Sequence, residues 1–373
     1  MRIWKKKVSE EDYYLASQWT LMGRKLMKHK LAKVSMWLLA FLYLVALFGN
    51  FIAPYGLEDY DSNYKNMAPT KIHLFNEGKF IGPHIYGTEY INNRETFKRE
   101  WVENKEDIHK IEMFVRGTKY KLFGLFESDL HLFGINSNKD EKQVKVMLFG
   151  GDSLGNDLFS RVIIGSQISL TIPFAGTFIS FILGIVLGGL SGYFGGVIDT
   201  IVQRVIEVLS SLPTIPLWMA LSAAIPANIP VHKMYLYITI IISLISWTGL
   251  ARIVRGKFIS LRDEEFVMAA QLAGVSDWKI ITRHLVPGFM SYLIVNITLG
   301  IPGMIIGETS MSFLGLGMRS PATSWGVLLK ETQDITSIAQ YPWRLIPLIA
   351  VVTTVLAFNF LGDGLRDAAD PYK

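Results

Sequence analysis

The sequence predicts an all-α polytopic membrane protein with six spanning helices and a small extracytoplasmic insert of mixed α/β or β-containing structure. Three observations predict it. Only 18% of the 373 residues are charged, where soluble domains carry about 25%. The mean hydropathy is +0.30. The apolar residues are gathered in charge-free runs, and about 20 such residues are needed to cross a hydrocarbon core of about 30 Å. With no cysteine, disulfides and thiolate chemistry are excluded. The net charge of +5 is a matter of topology and lipid headgroups. No basic face interleaved with aromatics points to nucleic acid.

Residues 1–33 form a basic cytoplasmic segment holding Arg2, Lys5, Lys6, Lys7, Arg24, Lys25, Lys28, Lys30 and Lys33. The first span is Val34–Leu57, which begins too far into the chain and is too long for a cleavable signal, so it reads as an uncleaved anchor. Residues 58–161 form the insert, where charges of both signs mix with Tyr60, Tyr64, Phe97, Trp101 and Phe114. A stretch this long is expected to fold, and the partial alternation over Ile111–Phe126 predicts short strands.

The core, residues 162–373, holds the other five spans. Val162–Ile198 is too long for one upright helix and too short for two; it predicts a lead-in, a span at about Ile168–Leu190 and a tight turn at Gly192–Gly196. Val208–Val231 follows, interrupted by Pro213, Pro216, Pro226 and Pro230, and then Met234–Ala251, Leu285–Gly307 and Leu345–Gly362. The loop 252–287 carries Arg252, Arg255, Lys257, Arg262, Lys279 and Arg283. Basic residues in short segments stay in the cytoplasm, so both termini are expected there. The long insert translocates regardless of its lysines.

No phosphate-binding loop is present. The nearest fragment, Gly256-Lys257-Phe258, has Ala251 where the first glycine belongs and phenylalanine after the lysine. No H-E-x-x-H helix occurs, and Ser276-Asp277-Trp278-Lys279 lacks the companion signatures of a penicillin-binding site. No catalytic, cofactor or metal residue is therefore assigned. Gly184, Gly188, Gly192 and Gly196 recur every four residues, a flat stripe for close helix packing. Glu207 and Glu308 lie in or at the ends of spans, where a carboxylate normally faces a cavity or a partner.

The cytoplasmic loop is the most informative segment. Asp263-Glu264-Glu265 places acids at a helix start. Phe266, Ala269, Ala270 and Ala273 then share one face, flat enough to settle in a protein groove and too weakly apolar for a lipid anchor. Gly274 ends the helix, Ser276 is placed to cap a second one, and Pro287 opens the fifth span.

Phe266-Val267-Met268-Ala269-Ala270, Gly274 and His284-Leu285-Val286-Pro287 together resemble the E-A-A…G…P loop of ABC importer permeases, of the "C" subunit type in the oligopeptide, dipeptide and nickel group. Asp152–Arg161 is similar to that group's G-T-D-x-x-G-R-D-x-x-S-R segment, with Asn156 in place of arginine. Ser312-Phe313-Leu314-Gly315-Leu316-Gly317 with Ser324-Trp325-Gly326 matches S-F-L-G-L-G…S-W-G, and Asn359–Asp367 with Asp370-Pro371 matches the C-terminal signature. Met268 replaces the usual acidic residue, and the insert is longer than in common peptide permeases, as in an extended subgroup.

The resemblance implies a type I importer permease fold and a translocation path shared with a second, "B"-type permease. Two ATP-binding subunits would carry ATP and magnesium, and an extracytoplasmic binding protein would deliver an oligopeptide or dipeptide, or alternatively an oligosaccharide. It implies that Glu265, Phe266, Ala269, Ala270, Ala273, Gly274, His284 and Pro287 couple to the ATPases. It also implies a gate or path at Glu308, Ser312, Gly315, Gly317 and Trp325. A membrane enzyme or channel is the rival class; it would need a catalytic constellation or pore loop, and the spacing of Glu207, Glu308 and Arg319 supplies neither.

Overall fold

A computed structural model describes residues 17–92, 99–135, 144–226, 229–319 and 321–370. Arg2, Lys5, Lys6, Lys7, Phe97 and Pro371 lie outside the described residues. The helices are α1 (Gln18–Lys28), α2 (Lys30–Leu47), α3 (Leu158–Phe194), α4 (Gly196–Ser211), α5 (Thr214–Ala223), α6 (Val231–Arg262), α7 (Glu265–Leu272), α8 (Met290–Phe313), α9 (Trp325–Lys330) and α10 (Ile346–Ala369). Among the described residues, α2, α3, α6, α8 and the helical stretch ending in α10 are long and apolar enough to cross a membrane. The pair α4 and α5, bent by 91°, passes the same test only when taken together, as a broken span or a re-entrant loop, which brings the number to five or six.

Several boundaries differ from the sequence expectation. Val162–Ile198 has no lead-in: α3 is one helix of 37 residues, capped by Asp157, whose carboxylate accepts from the Phe159 and Ser160 amides. Its turn falls at Gly195 and Gly196, both at positive φ, rather than over Gly192–Gly196. The third span breaks at Pro213, the N-cap of α5, because a proline lacks the N–H that would continue the ladder. Residues 252–262 belong to α6 rather than to the loop.

The insert is an antiparallel meander in the order β1 (His73–Asn76), β2 (Lys79–Asn92), β3 (Arg99–Leu122) and β4 (Phe126–Ile135). β1 is short, with four residues, but the strands over the predicted stretch are not: β3 has 24 residues and β4 has 10. Along it Glu89 pairs with Val102 and Met113 with Phe133. Its small core, Tyr64, Met67, Met147 and the Trp101 ring, lies beside the sheet. His131 on β4 is buried, with Nδ1 2.5 Å from the Ala53 carbonyl, so the sheet is tied to the end of the first span.

Four apolar clusters among the described residues hold the bundle, one of them Ile206, Trp247 and Ala251 joining α4 and α6. Leu39, Leu170, Ile305, Trp325 and Phe358 join α2, α3, α8, α9 and α10. Ile172, Ile238, Ile242, Met304 and Met311 join α3, α6 and α8. Val254, Phe258, Val267, Ile280 and Leu285 close the end near α7. Glycines of the C-terminal signature permit close approach: a Cβ at Gly364 would overlap Ala32 on α2, and one at Gly362 would overlap Leu299 on α8.

Candidate functional site

Helix α7 owes its orientation to one residue. Val267 is fully buried among Val254, Phe258 and Ile280. Ala270 packs partly against the same cluster. The Gln271 amide, exposed, reaches the Tyr193 hydroxyl at 3.4 Å. Phe266, Met268, Ala269, Leu272 and Ala273 are exposed, Leu272 to 90%. The open face is therefore rotated from the expected stripe of Phe266, Ala269, Ala270 and Ala273. Ala270 turns toward its own chain, and Met268 and Leu272 join the outside. Alanines bury little area whichever way they point, so the larger valine decides the facing.

The helix stops where the sequence places Gly274. That residue has φ +72; its N–H donates to the Gln271 carbonyl at 2.9 Å, and the Val275 N–H donates to the Ala270 carbonyl at 3.0 Å. This pair of bonds closes a helix end in the left-handed conformation that glycine adopts without strain. Ser276 precedes a single turn, Asp277–Ile280, but makes no side-chain capping bond. A wide turn, Ile281–Leu285, follows and buries Leu285. His284 is exposed with its ring 6.5 Å from that of Phe266, which brings the two ends of the loop together. Glu265 and Pro287 are exposed as well.

The glycine stripe meets α6 of the same chain. A Cβ at Gly184 would lie 2.9 Å from Leu250, one at Gly188 would overlap the Ala251 carbonyl, and one at Gly192 would lie 2.6 Å from the Arg255 carbonyl. Gly196 does not belong to the stripe: it sits at φ +56 with nothing near its Cβ position. On the same face, the Ser180 hydroxyl donates to the Ser243 carbonyl at 3.0 Å. The Ser243 hydroxyl reaches the Gly176 carbonyl at 3.2 Å.

The residues around Glu308 form a folded-back turn rather than an open wall. Glu308 is fully buried. The Ser312 hydroxyl donates to its Oε1 at 2.7 Å, while Oε2 has no hydrogen-bond partner. Gly315, at φ +79, reverses the chain so that the Leu316 and Gly317 amides both reach the Met311 carbonyl, at 2.9 and 3.1 Å. A Cβ at Gly317 would overlap the Ser312 hydroxyl. Buried Trp325 pins α9 to α3, its indole N–H donating to the Val162 carbonyl at 3.0 Å and its amide to the Ser169 hydroxyl at 2.9 Å. A cleft of about 530 Å³ opens elsewhere, lined by Thr177, Trp218, Ser246, Asn296, Gly300 and Gly303. None of Glu308, Ser312, Gly315, Gly317 or Trp325 lines it. Glu207 is exposed and pairs with Arg204 at 2.7 Å.

A polar knot before α3 was not singled out residue by residue from sequence. The Asp152 carboxylate accepts from the amides of Leu154, Gly155 and Asn156 at 2.8, 2.8 and 2.9 Å and from the Asn156 side chain at 2.8 Å. Arg161 closes it, pairing with Asp152 and, at 3.3 Å, with Glu331 beyond α9. The neighbouring cap Asp157 is buried, and burial pushes its carboxyl up to about 6 against the lowering effect of bonds from Ser160. The only sequence signal was the motif containing these residues, because bonds to backbone amides leave no periodicity. Gly151-Asp152-Ser153-Leu154-Gly155 also spells the G-x-S-x-G spacing of a hydrolase elbow. Here the Ser153 hydroxyl donates to Glu331 at 3.1 Å and Asp152 is committed to the turn, so the segment is structural.

No group of three or more His, Cys, Asp or Glu among the described residues is placed to hold a metal. The described residues form a bundle of long apolar helices with a mostly apolar cleft and an exposed loop helix, the architecture of a polytopic membrane protein. The chain belongs to the binding-protein-dependent transport system inner membrane component family, whose model matches residues 184–372. A second model, the N-terminal TM domain of oligopeptide transport permease C, matches residues 17–69. The dipeptide transport system permease protein DppC of Lactococcus lactis is 32% identical over 349 residues, 93% of this chain and 89% of its own. The oligopeptide transport system permease protein OppC of Haemophilus influenzae is 43% identical over 224 residues, 60% of this chain and 70% of its own. The DppC of Bacillus subtilis is 39% identical over 224 residues, 60% and 68% respectively.

Proposed function

We propose that this chain is one of two membrane subunits of an ATP-driven importer of short peptides, seated in the inner membrane with both termini cytoplasmic. The path is shared with a second permease of "B" type. Two ATP-binding subunits hold and hydrolyse ATP with magnesium, and an extracytoplasmic binding protein delivers the solute. The observation that carries the reading is α7: a capped helix whose apolar face, Met268, Ala269, Leu272 and Ala273, is left uncovered by its own chain. That face, with Phe266 and His284 beside it, is the surface proposed to seat in a groove of an ATP-binding subunit.

The Lactococcus relative supports the peptide over the oligosaccharide alternative. Its match reaches across 93% of this chain, so it takes in most of the insert, whereas the 224-residue matches reach across 60%. The insert itself is proposed as the outer docking surface for the binding protein.

Leu272→Glu tests the reading. An unpaired charge buried by assembly costs about 3–5 kcal/mol, so ATPase co-purification and solute-stimulated ATP hydrolysis are expected to be lost while the permease still inserts. Gln271→Ala, at an exposed residue on the Tyr193 side of α7, is expected to leave both intact. Equal damage from the two, or none from Leu272→Glu, would reject α7 as the docking face. Stimulation by oligosaccharides with no response to peptides would reject the substrate.

A further inference from the structure

The β-meander has two exposed hairpin tips of opposite character. The β1–β2 tip reads Asn76-Glu77-Gly78-Lys79, with Glu77 and Gly78 at positive φ, the polar chemistry such turns usually carry. The β3–β4 tip has the same sign of φ at Phe123 and Gly124, and the Leu125 amide reaches back to the Leu122 carbonyl at 3.1 Å. Its sequence, however, is Leu122-Phe123-Gly124-Leu125-Phe126, without charge or hydrogen-bonding side chain. Leu125 is 78% and Phe126 65% exposed. A phenylalanine in the left-handed region is unfavourable, and asparagine, aspartate or glycine normally takes that place.

Its position explains the choice. The Phe123 ring stacks edge-on to Phe48, centroids 5.7 Å apart, and a cleft between the tip and the helices reaches Tyr43, Leu47 and Thr171. Phe48 lies inside the charge-free interval Val34–Leu57. Counting from Lys33 at 1.5 Å per residue, a core of about 30 Å ends near residue 53. The tip thus rests beside α2 roughly 8 Å within that boundary. Phe114, also exposed, sits one turn higher against Phe51, rings 6.3 Å apart. The patch continues the outward apolar surface of α2 formed by Phe41, Leu44 and Leu47. Lys119 and Lys121 flank it on β3, as cations do where side chains reach up to headgroups.

We propose that the β3–β4 tip is a lipid anchor: Phe123, Leu125 and Phe126 enter the headgroup–acyl boundary beside the first span and hold the insert down on the bilayer. Aromatic and leucine side chains at that depth are the usual interfacial anchors. The β1–β2 tip stays in water.

The chain has no native cysteine, so one introduced thiol reports cleanly. Leu125→Cys, Phe126→Cys and Glu77→Cys would each carry an environment-sensitive fluorophore in the full chain, with any subunits that co-purify, in phosphatidylethanolamine–phosphatidylglycerol vesicles. Nitroxide-bearing lipid is expected to quench positions 125 and 126 several-fold more strongly than 77, and aqueous iodide to do the reverse. Iodide quenching at 125 and 126 equal to that at 77 would overturn the proposal. Protection of both from lipid and iodide alike would overturn it too, by showing that a protein subunit covers the tip.

Discussion

At one end of α3 the chain is held by polar saturation, and near the other by steric closeness. Asp152 gathers three backbone amides, Asn156 and Arg161, and Arg161 reaches on to Glu331. Gly184, Gly188 and Gly192 offer no bonds, only the absence of side chains against α6. The polar end is directional and fails when one partner is removed. The glycine end draws on dispersion summed along a face, and fails when something is added. A helix clamped one way at its N-terminal end and another way near its C-terminal end can be weakened at either end separately.

The largest effect is expected from Asp152→Ala, which strands Asn156 and the amides and leaves Arg161 with Glu331 alone. Breaking a buried pair costs about 3–5 kcal/mol, to be read as a fall in melting temperature in detergent. Asp152→Asn is expected to recover part of it. A smaller loss, about 1–3 kcal/mol, is expected from Gly188→Val through overpacking against the Ala251 carbonyl. Gly184→Ala is expected to cost less, because it meets Leu250 side-chain atoms at 2.9 Å rather than a main-chain carbonyl. Equal losses at 184 and 188 would mean that the helices separate freely, and the steric half of the contrast would fall.

A pH dependence is expected at the polar end as well. Asp157 titrates near 6 when folded, against 3.8 for the free group. Through that window the folded state holds more protons than the unfolded one, so stability falls as pH rises from about 4 to about 6 and is flat above. Asp157→Asn keeps the helix cap and is expected to abolish this slope in melting temperature. A slope unchanged in Asp157→Asn would assign it to another group.

The sequence made the two ends unequally legible. Charge-free runs located the spans, because a bilayer leaves a one-dimensional trace in composition. The four-residue glycine spacing located the stripe, but its last member, Gly196, is a turn residue at φ +56, which spacing alone does not distinguish. The Asp152 knot left only its motif, since amides carry no residue identity. β3 looked shorter than it is because most of its side chains are exposed, and no alternation marks a strand without a buried face. On α7 the small alanines gave a stripe without a direction, and Val267 set the direction in three dimensions.

The uninterrupted length of α3 has a mechanical consequence. Its 37 residues make a rod of about 55 Å, well beyond a hydrocarbon core of about 30 Å. Its C-terminal end abuts the turn to α4, and Tyr193 there bonds Asp277 in the loop after α7 at 2.7 Å. Its N-terminal end carries the cap beside the knot that reaches Glu331. One helix therefore joins the α7 loop directly to the knot beside the insert. The one rung missing from its ladder is at Pro173, and there the lever can flex.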